Sequence, residues 1–353
     1  MPVLTRLIPS PVVVDIRTGA LDDLAGLLAD QRISTSGRLA VAISAGSGAA
    51  LRQRLTPALP DADWFTVAGG TIDAAVELAD AMRGKRYDAV VALGGGKIID
   101  AAKYAAARVG LPLVSVATNL AHDGICSPVA TLDNDNGRGS YGVPAPVALV
   151  IDLDVIRRAP GRYVRSGIGD AISNISAIAD WELAHRETGE SIDGLAAAMA
   201  RSAGESVLRH PGTVDDDGFI TTLAEGLVVI GIAMSISGDS RPSSGACHEI
   251  SHAFDLLFPQ RAASHGEQTG LGAAFAMHLR GATEECGQIA EVLRRHGLPV
   301  LPGEIGFSDE EFVTAVRYAP QTRPGRYTIL EHRDLESDAI RDAYADYVKA
   351  ISS

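Results

Sequence analysis

Asp170, His248, His252 and His265 are the residues whose types and spacing could do metal chemistry. The run Ser243-Ser-Gly-Ala-Cys247-His248-Glu-Ile-Ser-His252-Ala-Phe-Asp255 sets two histidines four residues apart, on one face if the segment is helical. His265 follows in Ser264-His265-Gly266-Glu267-Gln268, and upstream Ser166-Gly-Ile-Gly169-Asp170 places a carboxylate at the predicted start of an apolar helix. Taken singly, Asp170 would serve as a helix cap and each histidine as a core or surface residue. Together, one Asp and two His would give a divalent ion three protein ligands and an open position, the arrangement of a catalytic site that polarises an alcohol or carbonyl oxygen. Zinc suits this N/O donor set, and iron, nickel and cobalt are compatible with it. Spacing alone leaves both His248 and His252 as candidate ligands.

A second chemistry is written in Ala89-Val-Val-Ala-Leu-Gly94-Gly95-Gly96-Lys97-Ile-Ile-Asp100, a buried strand running into three glycines and then a helix. Backbone without Cβ atoms can turn sharply and bring the helix's free N–H groups against a pyrophosphate. Neither the P-loop spacing nor the common Gly-x-Gly-x-x-Gly fingerprint is present. Ser44-Ala-Gly46-Ser-Gly48 could lie along the adenosine end of the same ligand. Ser44 stands where an acidic residue would select against a 2′-phosphate, so the sequence admits both NAD and NADP. A polar loop, Thr118-Asn119-Leu-Ala-His122-Asp123-Gly-Ile-Cys-Ser127-Pro128, directly follows another strand and would face the ligand crevice.

The elements that must position these groups fall into two kinds. Leu39–Ser44, Ala89–Leu93, Leu113–Ala117 and Val147–Ile151 read as strands alternating with helices at Leu21–Asp30, Thr71–Arg83 and Ile98–Val109, the pattern of a helix-covered parallel sheet. Asp133–Ser140 reads as a hairpin turn or mobile loop, with Asn136-Gly137 as its sharpest local signal. Beyond Arg162 helical periodicity takes over. We therefore expect an α/β Rossmann-like domain over 1–160 and an all-α metal and substrate domain over 161–353, with ligands in the cleft that such a pair creates.

Composition narrows the function. With 353 residues the chain is long enough for two apolar cores. A formal charge of -13 and only 5% aromatic residues disfavour nucleic acid and anionic lipid as partners. No uninterrupted apolar run of membrane-span length and no signal-peptide pattern is read, so a cytoplasmic enzyme without membrane partners is expected. Three scattered cysteines suit reduced, buried thiols, Cys247 included.

Gly94–Asp100 with Lys103, the His122–Pro128 loop, Gly169-Asp-Ala-Ile-Ser-Asn174, Arg241-Pro-Ser-Ser-Gly245 with His248 and His252, and His265-Gly-Glu-Gln268 occur in one order along the chain. In this the sequence resembles the iron-type, group III polyol dehydrogenases, and among them the glycerol-1-phosphate dehydrogenase family. The resemblance implies a dehydroquinate synthase-like fold, NAD or NADP as cofactor, and zinc on Asp170, His248 and His265, with Fe2+ or Ni2+ as alternatives. It further implies cofactor contacts from Gly94, Gly95, Gly96, Lys97, Asp100, Thr118, Asn119 and Ser127. Asp123 and His252 become substrate and catalytic residues alongside Asp170, and a homo-oligomer is implied. The activity implied is reversible reduction of dihydroxyacetone phosphate to sn-glycerol 1-phosphate; glycerol or another small polyol is the nearest alternative substrate. A related sugar-phosphate cyclase, a lyase, is disfavoured by the sparse Lys and Arg near the metal motifs. A cofactor-binding sensor without turnover is disfavoured by the intact Asp/His/His set.

Overall fold

The computed structural model describes residues 10–46, 48–135, 137–261 and 263–352. Asn136 of the expected turn, Ser47 of the second glycine loop and most of the N-terminal segment lie outside the described residues. The chain divides into two compact units, Met1–Asn119 with Gly124–Ala159, and Leu120–Asp123 with Pro160–Ser353.

In the first unit, strands β1 (Val13–Arg17), β2 (Leu39–Ser44), β3 (Asp63–Val67), β4 (Ala89–Gly94), β5 (Leu113–Ala117) and β8 (Ala148–Asp152) form one parallel sheet, in the order β1-β8-β5-β4-β2-β3. Strands β6 (Val129–Asn134) and β7 (Gly137–Gly142) make a separate antiparallel hairpin. Helices α1 (Leu24–Leu28), α2 (Gly48–Leu55), α3 (Ile72–Met82), α4 (Gly96–Val109) and α5 (Leu153–Arg158) complete the unit. Strands β4, β5 and β8 are buried at every residue, which is why they read as apolar runs, broken within only by Ser115. The two edge strands carry Asp, Arg and Thr among their apolar residues and gave no such run.

Chain order sets the ligand position. From β2 the chain steps outward to β3 and then returns to β4 on the other side of β2. The connections leaving the C-terminal ends of β2 and β4 therefore diverge, the switch point at which open α/β sheets bind ligands. Ser44-Ala45-Gly46 and Gly94-Gly95-Gly96 are the residues there.

The second unit contains α6 (Gly161–Thr188), α7 (Gly194–Arg209), α8 (Asp217–Ser237), α9 (Ala246–Leu257), α10 (His265–Leu279), α11 (Thr283–Arg295), α12 (Asp309–Tyr318), α13 (Ile329–Arg333) and α14 (Ser337–Ser352). Helix α6 begins at Gly161, so Asp170 lies inside it and is not its N-cap, contrary to the sequence reading. The polar first turns, Arg162, Tyr163, Arg165 and Ser166, had hidden its true start. Helix α8 is long and apolar enough to cross a membrane by length and composition, although Thr221, Thr222 and Glu225 interrupt its apolar run. Its most apolar stretch is 61% buried within the protein and packs on α7, as a core helix does.

Candidate active site

Three helices bring the metal-type residues together, and glycines let them approach. A Cβ on Gly169 of α6 would lie 2.0 Å from the Gly266 carbonyl oxygen of α10, and one on Gly266 would lie 1.7 Å from that of Ser166. Helix α10 meets α9 in the same way, since a Cβ on Gly272 would sit 2.9 Å from the Cys247 carbonyl oxygen. Asp170, His248 and His265 thereby present ligand atoms that all lie within 4.8 Å of one another. The Asp170 Oδ1 is 3.7 Å from His248 Nε2 and 3.4 Å from His265 Nε2. The start of α10 is fixed by a capping box, with Glu267 accepting from the Ser264 N–H (2.9 Å) and hydroxyl (2.7 Å), which places His265 at the first helical position.

The hydrogen bonds behind the rings suit a metal ion. Asp255 can only accept, so Gln268 turns its Nε2 to Asp255 Oδ1 (3.2 Å) and its Oε1 to the Ser251 hydroxyl (2.6 Å). With its proton given to Gln268, Ser251 Oγ accepts from His265 Nδ1 at 3.4 Å, leaving the Nε2 lone pair aimed into the cluster. On the other side, the Cys247 thiol donates to the Ser173 carbonyl (3.7 Å) and lies 3.3 Å from His248 Nδ1, which again frees Nε2. Burial pushes the Cys247 thiol up to about 12, so it stays protonated and is a structural group, not a nucleophile. Burial, then the nearby His265 and His252, hold His248 well below the usual imidazole range. Burial also opposes the His265 imidazolium, but Asp170's hydrogen bond and charge outweigh it and raise the ring's pKa. The space between the carboxylate and the two Nε2 atoms is built for a cation, and the donor set fits zinc or a similar ion.

Asp123 and His252, expected from the sequence on the substrate side, sit in the same unit. A Cβ on Gly167 would lie 2.1 Å from the Leu120 carbonyl oxygen, so the Leu120–Asp123 segment lies directly on α6. The Asp123 N–H donates to Asp170 Oδ2 at 2.8 Å, and the His122 ring stands 6.2 Å from that of His265. His252 lies one turn beyond His248 on α9, with ring centroids 6.5 Å apart.

In the first unit the cofactor-type residues gather at the ends of β4 and β5. The Thr118 N–H donates to the Gly94 carbonyl at 3.0 Å, and a Cβ on Gly95 would meet Asn119 Nδ2 at 2.2 Å. Gly96 opens α4, whose free N–H groups face this turn. Lys97 is exposed. Asp100 points inward and pairs with Lys103 Nζ at 2.8 Å; Lys103 also donates to the carbonyls of Ser127 and Val129. Lys103 thus ties α4 to the loop of Ser127 from within, with Asp100 as its counter-charge.

Sequence reasoning weighed Arg241 for a substrate phosphate but missed Arg323 and Arg326 of the second unit. Arg323 and Arg326 reach α9 from far along the chain, so counting Lys and Arg near the metal motifs underestimated the local positive charge. The polar chain behind His265 was also missed, although Gln268 belongs to a quoted motif. A Gln inside an otherwise apolar helical run was the available signal.

The sequence pattern of the iron-containing alcohol dehydrogenases matches residues 15–160. Among similar chains, the glycerol-1-phosphate dehydrogenase [NAD(P)+] of Pyrococcus furiosus is 39% identical over 276 residues, covering 77% of this chain and 79% of the relative. That of Methanothermobacter thermautotrophicus is 37% identical over 281 residues, 79% of this chain and 80% of the relative. In structure, a probable glycerol dehydrogenase from Sinorhizobium meliloti superposes with a TM-score of 0.78 at 21% identity, covering 99% of this chain and 98% of the other. The glycerol dehydrogenase of Schizosaccharomyces pombe gives 0.74 at 20% identity, covering 99% and 91%. The chain belongs to the glycerol-1-phosphate dehydrogenase family and is a metal-dependent oxidoreductase.

Proposed function

We propose that this enzyme reversibly reduces dihydroxyacetone phosphate to sn-glycerol 1-phosphate with NADH or NADPH, using zinc held by Asp170, His248 and His265. The observation that carries the reading is the Asp170–His248–His265 cluster, with both imidazole Nε2 atoms oriented inward by their own hydrogen-bond partners. Identity of 39% to a glycerol-1-phosphate dehydrogenase supports the substrate.

Bound in these sites, the metal would supply Lewis acidity at the substrate's carbonyl oxygen and the dihydronicotinamide would supply hydride. The chain's residues supply position and the proton. Gly94–Gly96, Thr118 and Asn119 form a close-fitting backbone edge for the dinucleotide, with Ser127 anchored nearby through Lys103. Asp123, whose backbone is fixed on Asp170, holds substrate hydroxyls. Reduction needs one proton on the substrate oxygen, and His252, Asp123 or a water between them delivers it. In the same reading the enzyme is a cytoplasmic homo-oligomer acting on a free small molecule; the net charge of -13 supports only the absence of nucleic-acid and anionic-lipid partners.

The test is nicotinamide absorbance with zinc-loaded protein, dihydroxyacetone phosphate or dihydroxyacetone, and NADH or NADPH, beside His265→Ala. Oxidation with the phosphate that disappears in the variant is the expected result. Absence of oxidation by metal-loaded wild-type protein overturns the substrate assignment.

A further inference from the structure

Three arginines converge behind α9, and they are not equivalent. Arg241 is already committed, with its Nε on Glu190 Oε1 (2.6 Å), its Nη2 on Glu190 Oε2, and its Nη1 on the Tyr327 carbonyl at 3.0 Å. It neutralises its charge on Glu190 and fixes the segment carrying the other two. Arg323 donates to Ser240 Oγ at 3.1 Å and to His252 Nε2 at 3.5 Å. Arg326 donates to the same Ser240 Oγ at 3.1 Å and to the Ser244 carbonyl. The bonds holding these two guanidiniums go to hydroxyl, carbonyl and imidazole groups, not to carboxylates.

Two adjacent, largely desolvated cations are costly unless an anion joins them. Burial lowers both side chains, Arg326 to about 10; the Glu249 carboxyl opposes this for both, but burial pushes that carboxyl itself up to about 9, so it does not neutralise the pair at neutral pH. Arg323 has the better access to substrate, because its Nη2 touches the residue one turn from His248. Of its five N–H donors, two serve the contacts above. A guanidinium edge with donors to spare, backed by a second cation, matches a phosphate dianion better than a neutral hydroxyl. Lys103 and Arg138, cations of the other unit, pair with Asp100 and Asp133.

We propose that Arg323 binds the phosphate of the substrate, with Arg326 and Ser240 as positioning residues that hold its guanidinium against His252. This rests on the polyol-phosphate reading above and adds the group that would distinguish the phosphate from a free polyol.

The experiment compares zinc-loaded wild type, Arg323→Met and Arg323→Lys in two measurements: steady-state reduction of dihydroxyacetone phosphate and of dihydroxyacetone, and calorimetric binding of inorganic phosphate. Arg323→Met is expected to lower kcat/KM for the phosphate roughly 10- to 100-fold, mainly through KM, in line with loss of a charge-assisted hydrogen-bonded contact. The loss on dihydroxyacetone, which senses only the contact of Arg323 with His252, should be at least fivefold smaller than that on the phosphate; phosphate binding should weaken in step with kcat/KM for the phosphate, and Arg323→Lys should recover part of both. Equal losses on the two substrates in both variants, or unchanged phosphate binding in Arg323→Met, overturn the proposal. Should Arg323→Met not fold, Arg323→Lys decides by the same two readouts. If wild type shows no preference for the phosphorylated substrate, the polyol-phosphate reading fails; the anion site still stands if wild type binds inorganic phosphate and the variants bind it more weakly, and falls if wild type does not bind it.

Discussion

Gly169 on α6 and Gly266 on α10 approach so closely that a methyl group on Gly169 would lie 2.0 Å from the Gly266 carbonyl oxygen. The next residue on α6 is Asp170 and the one before Gly266 is His265, so the distance between two metal-type ligands is set by a backbone contact. In an open helix Gly→Ala is favourable by about 1 kcal/mol. Here the added methyl meets backbone that cannot rotate away, and overpacking costs about 1–3 kcal/mol. Gly169→Ala should therefore lose stability and bind zinc at least tenfold more weakly, measured by competition with a chromogenic chelator. Unchanged zinc affinity would show that the glycine contact does not set the site.

The chain Asp255–Gln268–Ser251–His265 makes a separate prediction. Ser251→Ala removes the acceptor that keeps the proton on His265 Nδ1, without touching Asp170 or His248. Loss of such an outer partner weakens metal binding by roughly 10- to 100-fold. Chelator competition should show this with a melting temperature close to wild type. A variant that binds zinc as tightly as the parent would rule out an orienting role for Ser251.

The sequence carried much of this site because metal ligands, glycine turns and buried parallel strands leave local marks. His248 and His252 four apart, Gly94–Gly96 after a β-branched run, and Asp170 in an apolar run are all legible without coordinates. What was not legible depends on contacts distant along the chain. Arg323 meets Ser240 and His252 across 83 and 71 residues, and no periodicity encodes that pairing. The start of α6 was misplaced because its first turns face outward with polar side chains, and β1 and β3 escaped because edge strands are not continuously apolar.

Asp180 ties the site to the rest of its unit. Fully buried, it accepts from the Ala246 N–H at 2.8 Å, from the Ile329 N–H at 2.7 Å and from the Arg280 guanidinium. The first bond fixes the start of α9, two residues before His248; the second fixes the segment following Arg326. Asp180→Ala leaves the Arg280 charge buried without its partner, a change that typically costs about 3–5 kcal/mol. We expect a large fall in the urea midpoint for Asp180→Ala and a smaller one for Asp180→Asn, which keeps an acceptor. A loss under about 1 kcal/mol in the alanine variant would contradict this account.

His296 provides an acid-sensitive element remote from the metal ligands. Its ring stacks on Phe219 at 4.6 Å with an interplanar angle of 17°, and neither ring nitrogen has a hydrogen-bond partner among the described residues. Burial, helped by the charge of Arg295, lowers its pKa to about 4. The folded value lies below the unfolded value of about 6.5, so the unfolded chain takes up the proton first as pH falls. The contribution to stability is full above pH 6.5, declines between about 6.5 and 4, and is gone below that. After allowance for partial solvent screening this amounts to roughly 1–2 kcal/mol. His296→Phe keeps the stack and removes the titration. In urea unfolding across pH 8 to 4 the two stability curves should run parallel above about pH 6.5 and separate below it, wild type losing stability relative to the variant. Parallel curves over that interval would show that His296 does not titrate differently on folding.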